Sequence, residues 1–553
     1  MQRSLLTVTL IAAATAAIVH LSTRNTQTQA MSCFVTTVKG AVQGVDRGAS
    51  CAFFGVPYGA STGGARRWRP PQPADTWAPA TLNATAAPNC PGFNAATGAP
   101  QGTEDCLKLI IWTPDPMPAT PAPVLIWLHP GAFVAASANL AASNGQRLAE
   151  QFGTIVVAAN YRLGAFGFLA HAALSAEDAA YPSSGNYGLL DQRAAFAWVR
   201  EQIAAFGGDP RRVTIAGSSA GALSVGLHLV SPGSSGLFDR AIIQSGPPTL
   251  RWRTREEADA QGARFATALG CADPSQVLTC MRSRTRDQVL TALPIGPDQV
   301  LEGQRVQWGP VVDGLEVPDQ PRLLFESGAS ARVPLLLGTN RDEGWIYVDR
   351  SFPAGLTIAE YEGALSTEFG ADAAAIGAMY TPLESGTPDE AAASRKAALA
   401  AIVGDAEYVC EVRRVARSVE RTGMPVFVYS FEHEIDPVAP DRVIHGIEVN
   451  LLFGNNFGPP SNYVLSDSDR ELALAMAGYW ARFAAQAMPN SDDETIARWP
   501  AFKHPAGQGR GSDKHLVLDR PVHEGMRLRE AACDFWEPYF LRSTTGAVPA
   551  ATP

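Results

Sequence analysis

Lysine is almost missing from this chain. Of 44 cationic residues among 553, only five are Lys, and charged residues of both signs make up 18%, below the ~25% usual for a soluble protein. The formal net charge is −10. A general nucleic-acid binder works by releasing counterions onto a surface rich in Lys and Arg, so no nucleic-acid partner is expected. Disorder is excluded by the opposite imbalance: hydrophobic residues reach 46%, and a disordered chain is poor in them. Gly (50) and Pro (41) are plentiful but short of the ~25–30% share of low-complexity chains, which points to many ordered loops.

Long apolar runs are scarce too. Residues 5–19 form a run of 15 that is apolar or neutral throughout, short of the ~20 residues that span a bilayer. Arg3 precedes the run, small residues come after it, and Thr28-Gln29-Ala30 offers a cleavage site. That order of charge, apolar run and small residues is a secretory signal. Residues 1–30 are therefore expected to be a signal peptide and residues 31–553 one domain, secreted or periplasmic, with no membrane span in the mature chain. CxxC pairs are absent, and no Cys/His cluster has zinc spacing, so neither a structural metal nor any other metal is expected. The eight cysteines, at 33, 51, 90, 106, 271, 280, 410 and 533, are an even set behind a signal segment and read as disulfides. Internal repeats and long linkers are also lacking.

Short runs rich in Val, Ile and Leu lie at 107–112, 124–129, 154–159, 213–216, 240–244, 333–337, 426–431 and 515–518. Their unbroken apolar character predicts strands buried on both faces, as in a parallel sheet. Helical patterns at 190–206, 220–230, 256–269, 468–485 and 524–535 alternate with them. Such alternation predicts an α/β fold with a large, mostly parallel central sheet flanked by helices. Residues 33–58 read instead as a small antiparallel meander turning at Lys39-Gly40, and the Ala-rich stretch 357–401 as a helical sub-domain over the sheet.

Gly217-Ser218-Ser219-Ala220-Gly221 has the form G-x-S-x-G, and so does Gly59-Ala60-Ser61-Thr62-Gly63. Context separates them. The first lies between a strand and a helix, the sharp turn that lifts a serine above a sheet. The second runs into Gly-Ala-Arg-Arg-Trp-Arg-Pro-Pro, which does not form a helix. Ser219 is the expected nucleophile and Ser61 a loop residue. A nucleophilic serine needs a histidine base, an acid to orient it, and donors for the oxyanion. On this kind of fold the chain order is Ser, acid, His. The base then comes from His228, His433, His445, His504, His515 or His523, and the acid from Asp342 or Glu343 after the strand at 333–337. The residues alone leave these alternatives open.

Five further segments carry a resemblance: Phe54-Gly55-Val56-Pro57-Tyr58, Glu104-Asp105-Cys106-Leu107, Asn160-Tyr161-Arg162, Gly185-Asn186-Tyr187-Gly188-Leu189-Leu190-Asp191-Gln192 and Phe206-Gly207-Gly208-Asp209-Pro210. In that order, over residues 34–540, the chain resembles the type-B carboxylesterase/lipase family, which includes the cholinesterases. The resemblance implies an α/β-hydrolase fold and a secreted serine carboxylesterase that hydrolyses carboxylic esters through an acyl-enzyme, with no cofactor. It places the catalytic acid at Glu343, in Asp-Glu-Gly, and the base at His445, in His445-Gly446-Ile447-Glu448. The oxyanion donors it implies are the backbone N–H groups of Gly131, Ala132 and Ala220. Ser245 matches a family serine that supports the acid. Arg162 with Asp191 and Arg67 with Glu104 match structural ion pairs. Family pairing suggests Cys90–Cys106, Cys271–Cys280 and Cys410–Cys533, which leaves Cys33 for Cys51.

Two positions depart from the family. Pro130 stands where a glycine is usual, and it lacks an N–H, but the matching position is not a donor. Ser218 replaces the Glu that most relatives carry before the nucleophile. Cholinesterases use that Glu, and a Trp in the loop matching 90–106, to hold a quaternary ammonium; here Phe93 is the only aromatic residue of that loop. Neutral or anionic esters are expected to outrun choline esters. Two other readings stand beside this one. An interfacial lipase would want a mobile apolar lid, whereas the segment 91–97 is short and mildly apolar. A non-catalytic adhesion or scaffold member would lack a filled triad.

Overall fold

The computed structural model describes residues 33–94, 97–293, 308–504 and 513–543. The expected signal segment and residues 95–96 of the 91–97 loop lie outside them. The centre is an eleven-stranded sheet. In chain order its strands are β1 (Val45–Asp46), β2 (Ser50–Pro57), β3 (Lys108–Pro114), β4 (Ala122–Leu128), β5 (Ile155–Ala159), β6 (Gly208–Ser218), β7 (Arg240–Gln244), β8 (Leu335–Asn340), β9 (Val426–Phe431), β10 (Lys514–Leu518) and β11 (His523–Met526). Their spatial order is β11-β10-β9-β8-β7-β6-β4-β5-β3-β2-β1. From β10 across to β5 every neighbouring pair is parallel. The edge pairs β5·β3, β3·β2, β2·β1 and β10·β11 are antiparallel.

The parallel strands are buried on both faces, as their apolar runs require. Along β4, Val124, Ile126 and Leu128 face one layer while Leu125 and Trp127 face the other. Helices cover both layers: α1 (Tyr187–Gln202), α2 (Ala220–Val230), α3 (Arg255–Ala268), α4 (Trp345–Ser351), α5 (Pro388–Gly404), α6 (Cys410–Arg421), α7 (Ile447–Phe453), α8 (Asp467–Gln486) and α9 (Glu530–Ser543). Residues of α1 and α6 pack on the Val124 side and those of α7 and α8 on the Trp127 side. Capping boxes start α3, from Thr254 to Glu257, and α8, from Ser466 to Asp469, each satisfying two otherwise orphaned N–H groups.

The hairpin at Lys39-Gly40 forms between Phe34–Thr37 and Gly40–Gln43, but the meander does not stay separate, because β2 joins the main sheet against β3. The stretch 357–401 is helical as expected, and its core includes Leu356, Tyr361, Leu399 and Trp536 of α9. The expected helix 524–535 is corrected at its start. Residues 523–526 pair with the exposed edge of β10; that edge offers unpaired backbone groups, and α9 begins only after Arg527 and Arg529 turn the chain at positive φ. Four disulfides close as Cys33–Cys51, Cys90–Cys106, Cys271–Cys280 and Cys410–Cys533. Among the described residues no helix is long and apolar enough to cross a membrane.

Candidate active site

Ser219 sits between β6 and α2 with φ 54° and ψ −125°. A non-glycine residue in that region is strained, and strain of this kind persists only where the surroundings enforce it. The surroundings do so here by close approach. A Cβ on Gly221 would stand 2.0 Å from the Leu128 carbonyl oxygen, and one on Gly217 would stand 2.4 Å from the Gly221 carbonyl carbon. Only glycine lets β6, the turn and α2 approach the end of β4 this closely. The Ser219 N–H donates to the Gln244 carbonyl at 3.0 Å, and Ser219 keeps 9% exposure.

Directly after β4, His129 to Phe133 form the second wall. Gly131, Ala132 and Phe133 all have positive φ. The Gly131 carbonyl accepts from the Val134 and Ala135 N–H groups, while the Gly131 and Ala132 N–H groups donate to no backbone carbonyl among the described residues. Ala220 is the first residue of α2, where the N–H has no partner inside the helix. His129 is buried, and burial pulls its pKa down to about 4. Its ring lies flat against Tyr161 at 4.4 Å, and its Nδ1–H donates to the Pro130 carbonyl at 2.8 Å. Pro130 thus serves the loop through its carbonyl oxygen.

Of the six histidines left open by sequence, His445 contacts a fully buried carboxylate: its Nδ1–H donates to Glu343 Oε2 at 2.6 Å. His228 lies inside α2, bonded to Gln192 and Ser234, and burial drives its pKa down to about 3. His433 bonds Asp469 and Asp519, and His504 bonds Asp513. His515 is buried in β10 and His523 is exposed in β11. The acids separate as clearly. Asp342 accepts from the Val443 N–H at 2.8 Å and pairs with Arg341, so it pins the segment leading to His445 rather than touching the ring.

Ser245 makes its N–H bond to the Gly338 carbonyl, but its buried hydroxyl has no hydrogen-bond partner among the described residues. Ser245 thus meets the end of β8 through its backbone N–H. Glu343 Oε1 is held by the Asn340 N–H at 2.7 Å. Asn340 also donates through Nδ2 to the Ile444 carbonyl at 2.8 Å and to Glu448 Oε2 at 2.7 Å. Gln244 donates to Glu448 and accepts from Trp480. Burial, then the nearby Glu343, raise the Glu448 pKa. Sequence reading missed the parts played by Asn340 and Gln244. The signal for Asn340 was its place three residues before Glu343, one tight turn away. Ser218 is buried with its hydroxyl unpartnered. The ion pairs form as expected, Arg162 with Asp191 at 2.7 Å and Arg67 with Glu104 at 2.5 Å.

A strained serine on a strand-to-helix turn, a pair of loop N–H groups that reach no backbone carbonyl among the described residues and a buried Glu–His pair define an α/β-hydrolase. The sequence profile of the Carboxylesterase family matches residues 29–536, and the chain belongs to that family. It is a carboxylic-ester hydrolase. It is 36% identical over 484 residues to the fumonisin B1 esterase of Sphingopyxis macrogoltabida, a match covering 84% of each chain.

Proposed function

We propose that the protein is exported and hydrolyses carboxylic esters through a covalent acyl-enzyme. Ser219 Oγ attacks the ester carbonyl while His445 Nε2 takes its proton. Glu343 fixes the tautomer through Nδ1 and stabilises the imidazolium. The N–H groups of Gly131, Ala132 and Ala220 receive the oxyanion. The alcohol leaves with the proton from His445. Water, activated by the same imidazole, attacks the acyl carbon, releases the acid and restores Ser219. No metal or organic cofactor takes part. Ser245 acts on the acid indirectly, by holding the end of β8 through its N–H. Export is supported by four disulfides, which persist in oxidising compartments.

The observation that carries this reading is the buried Glu343–His445 bond of 2.6 Å, on a fold that also strains Ser219 onto its turn. A phosphonate ester is expected to stop turnover and to appear by peptide mass spectrometry on Ser219, one per chain. Labelling of any other residue with loss of activity overturns the mechanism. The relative's name makes fumonisin B1 the first natural ester to try. Neutral butyrate esters are expected to exceed butyrylcholine in kcat/KM at matched leaving-group pKa, because Ser218 brings no negative charge to the site and cation–π contact worth up to ~2 kcal/mol finds no Trp in the 90–106 loop.

A further inference from the structure

The helical stretch 388–421 is not one α-helix. Between α5 and α6 the residues Asp405–Val409 form a π-helical turn. Such a turn inserts one residue into the α repeat, rotates the helix before it against the helix after it by about 100°, and is frequently found at functional sites. Tyr408 lies in this turn and is fully buried. Its ring meets the His445 imidazole edge-to-face at 5.4 Å, and its hydroxyl donates to the Tyr347 hydroxyl at 2.7 Å. Tyr347, on α4, reaches the same imidazole at 5.5 Å. The two phenols stack on each other, with planes 16° apart, and both lie against the imidazole.

The turn is anchored from outside the site. Asp405 takes two bonds from Arg529, at 2.8 and 2.7 Å, and one from Tyr380 at 2.8 Å. Cys410, two residues beyond Tyr408, is bridged to Cys533 of α9. The turn also abuts the acid. A Cβ on Gly344 would stand 2.1 Å from the Ala400 carbonyl oxygen and 2.9 Å from the Gly404 nitrogen, so the end of α5 rests on the backbone next to Glu343.

We propose that Tyr408 is a positioning residue for His445: the π turn, tied by Asp405 and Cys410 to the C-terminal helix, presses the Tyr408 ring against the imidazole and keeps it on the Glu343 carboxylate. Glu343, bonded to Nδ1, and Glu448, which interacts with the imidazole electrostatically, are acidic groups beside that ring, and Tyr347 is the second phenol. A flat apolar face suits this task. It blocks rotation about the Cβ–Cγ bond and keeps water from competing for the Nδ1–H. The inference rests on His445 being the base.

The test compares Tyr408→Phe and Tyr408→Leu with wild type, each rate divided by the number of sites titrated with the phosphonate ester. Tyr408→Leu is expected to lower kcat per titrated site at least tenfold with KM changed less than threefold. It is also expected to broaden or move the low-field proton resonance of the His445 Nδ1–H. Tyr408→Phe, which keeps the ring, is expected to stay within threefold and to retain that resonance. Asp405→Asn, which loosens the anchor while leaving Tyr408 in place, is expected to move kcat in the same direction by a smaller factor. Unchanged kcat and resonance in Tyr408→Leu overturn the proposal, and so does an equal loss in Tyr408→Phe. Failure of the underlying reading is distinct: wild type would then not be labelled on Ser219.

Discussion

Two pentapeptides of one pattern lie in this molecule, and they share nothing else. Gly59–Gly63 runs from the end of β2 into a short 3₁₀ turn, and its Ser61 is exposed, its hydroxyl accepting from the Gly63 N–H at 3.4 Å. It borders a shallow cleft with Glu104, Asp105, Arg286 and Asp287, and no imidazole lines that cleft. Gly217–Gly221 ends a central strand and starts a helix that is buried on every side. There the serine is strained, nearly enclosed, and placed over the end of β4. Flanking secondary structure, not the motif, separates the proposed nucleophile from a loop serine.

The widest gap between the two should appear on removing each hydroxyl. Ser219→Ala is expected to lower kcat by ~10⁴-fold or more, as loss of a nucleophile does, with the melting temperature held within a few degrees. Ser61→Ala is expected to leave kcat/KM within twofold. Ester hydrolysis by both variants, with circular dichroism melts, checks this; activity of Ser219→Ala above ~1% of wild type would break the comparison.

Next come the two acids near His445. Glu343→Gln should cost roughly 10³–10⁴-fold in kcat, since the amide no longer fixes the imidazole tautomer. Asp342→Asn keeps an oxygen for the Val443 N–H and is expected to lose less than tenfold. Steady-state rates decide it, and exchanged magnitudes would show that the wrong acid has been assigned.

A third contrast tests the glycines. Gly221→Ala forces a Cβ into a carbonyl oxygen, so the turn must move; overpacking of this kind costs about 1–3 kcal/mol, and activity should fall at least a hundredfold as the turn shifts. At Gly63 a Cβ would meet nothing closer than 3.5 Å, and φ is −79°, so Gly63→Ala should be silent in denaturant melts and in rate. Equal tolerance at both positions would mean that the elbow is not sterically enforced.

The smallest effect concerns acid stability. The helix behind Ser219 carries His228, and the strand end beside it carries His129, both held neutral by burial with pKa values of about 3 and about 4. An unfolded histidine takes up its proton near ~6.5. Because the folded values are depressed, the stability these groups contribute is complete above about pH 6.5 and is lost as pH falls from there toward about 4 and 3. Each loses at most ~1.4 kcal/mol per pH unit. Urea midpoints should drop between pH 7 and 5, and less steeply in His228→Asn. The Ser61 segment, Gly59–Gly63, carries no histidine.

The strands at 240–244 and 426–431 and the helix 220–230 were legible because burial on both faces or all round leaves an unbroken apolar run. The sharp turn at Ser219 was legible because only glycine fits its two flanks. The start of the C-terminal helix was not, since the affinity of residues 523–526 for the open edge of β10 is a property of a neighbour, not of the segment.

The same division holds at the site. Sequence by itself determined the fold class and the serine on its strand-to-helix turn, because each depends on local backbone geometry or on short-range pattern. It narrowed the acid to two neighbours and the base to six histidines, and resemblance then singled out Glu343 and His445. Tertiary structure alone decided that Glu343 is held by Asn340, that Asp342 serves the backbone of Val443, and that Tyr408 reaches His445 through a π turn. Those pairings join groups tens to a hundred residues apart or turn on a one-residue helical offset. Hydrogen bonds and ring contacts act over a few ångströms, so only the packed chain determines which polar groups meet.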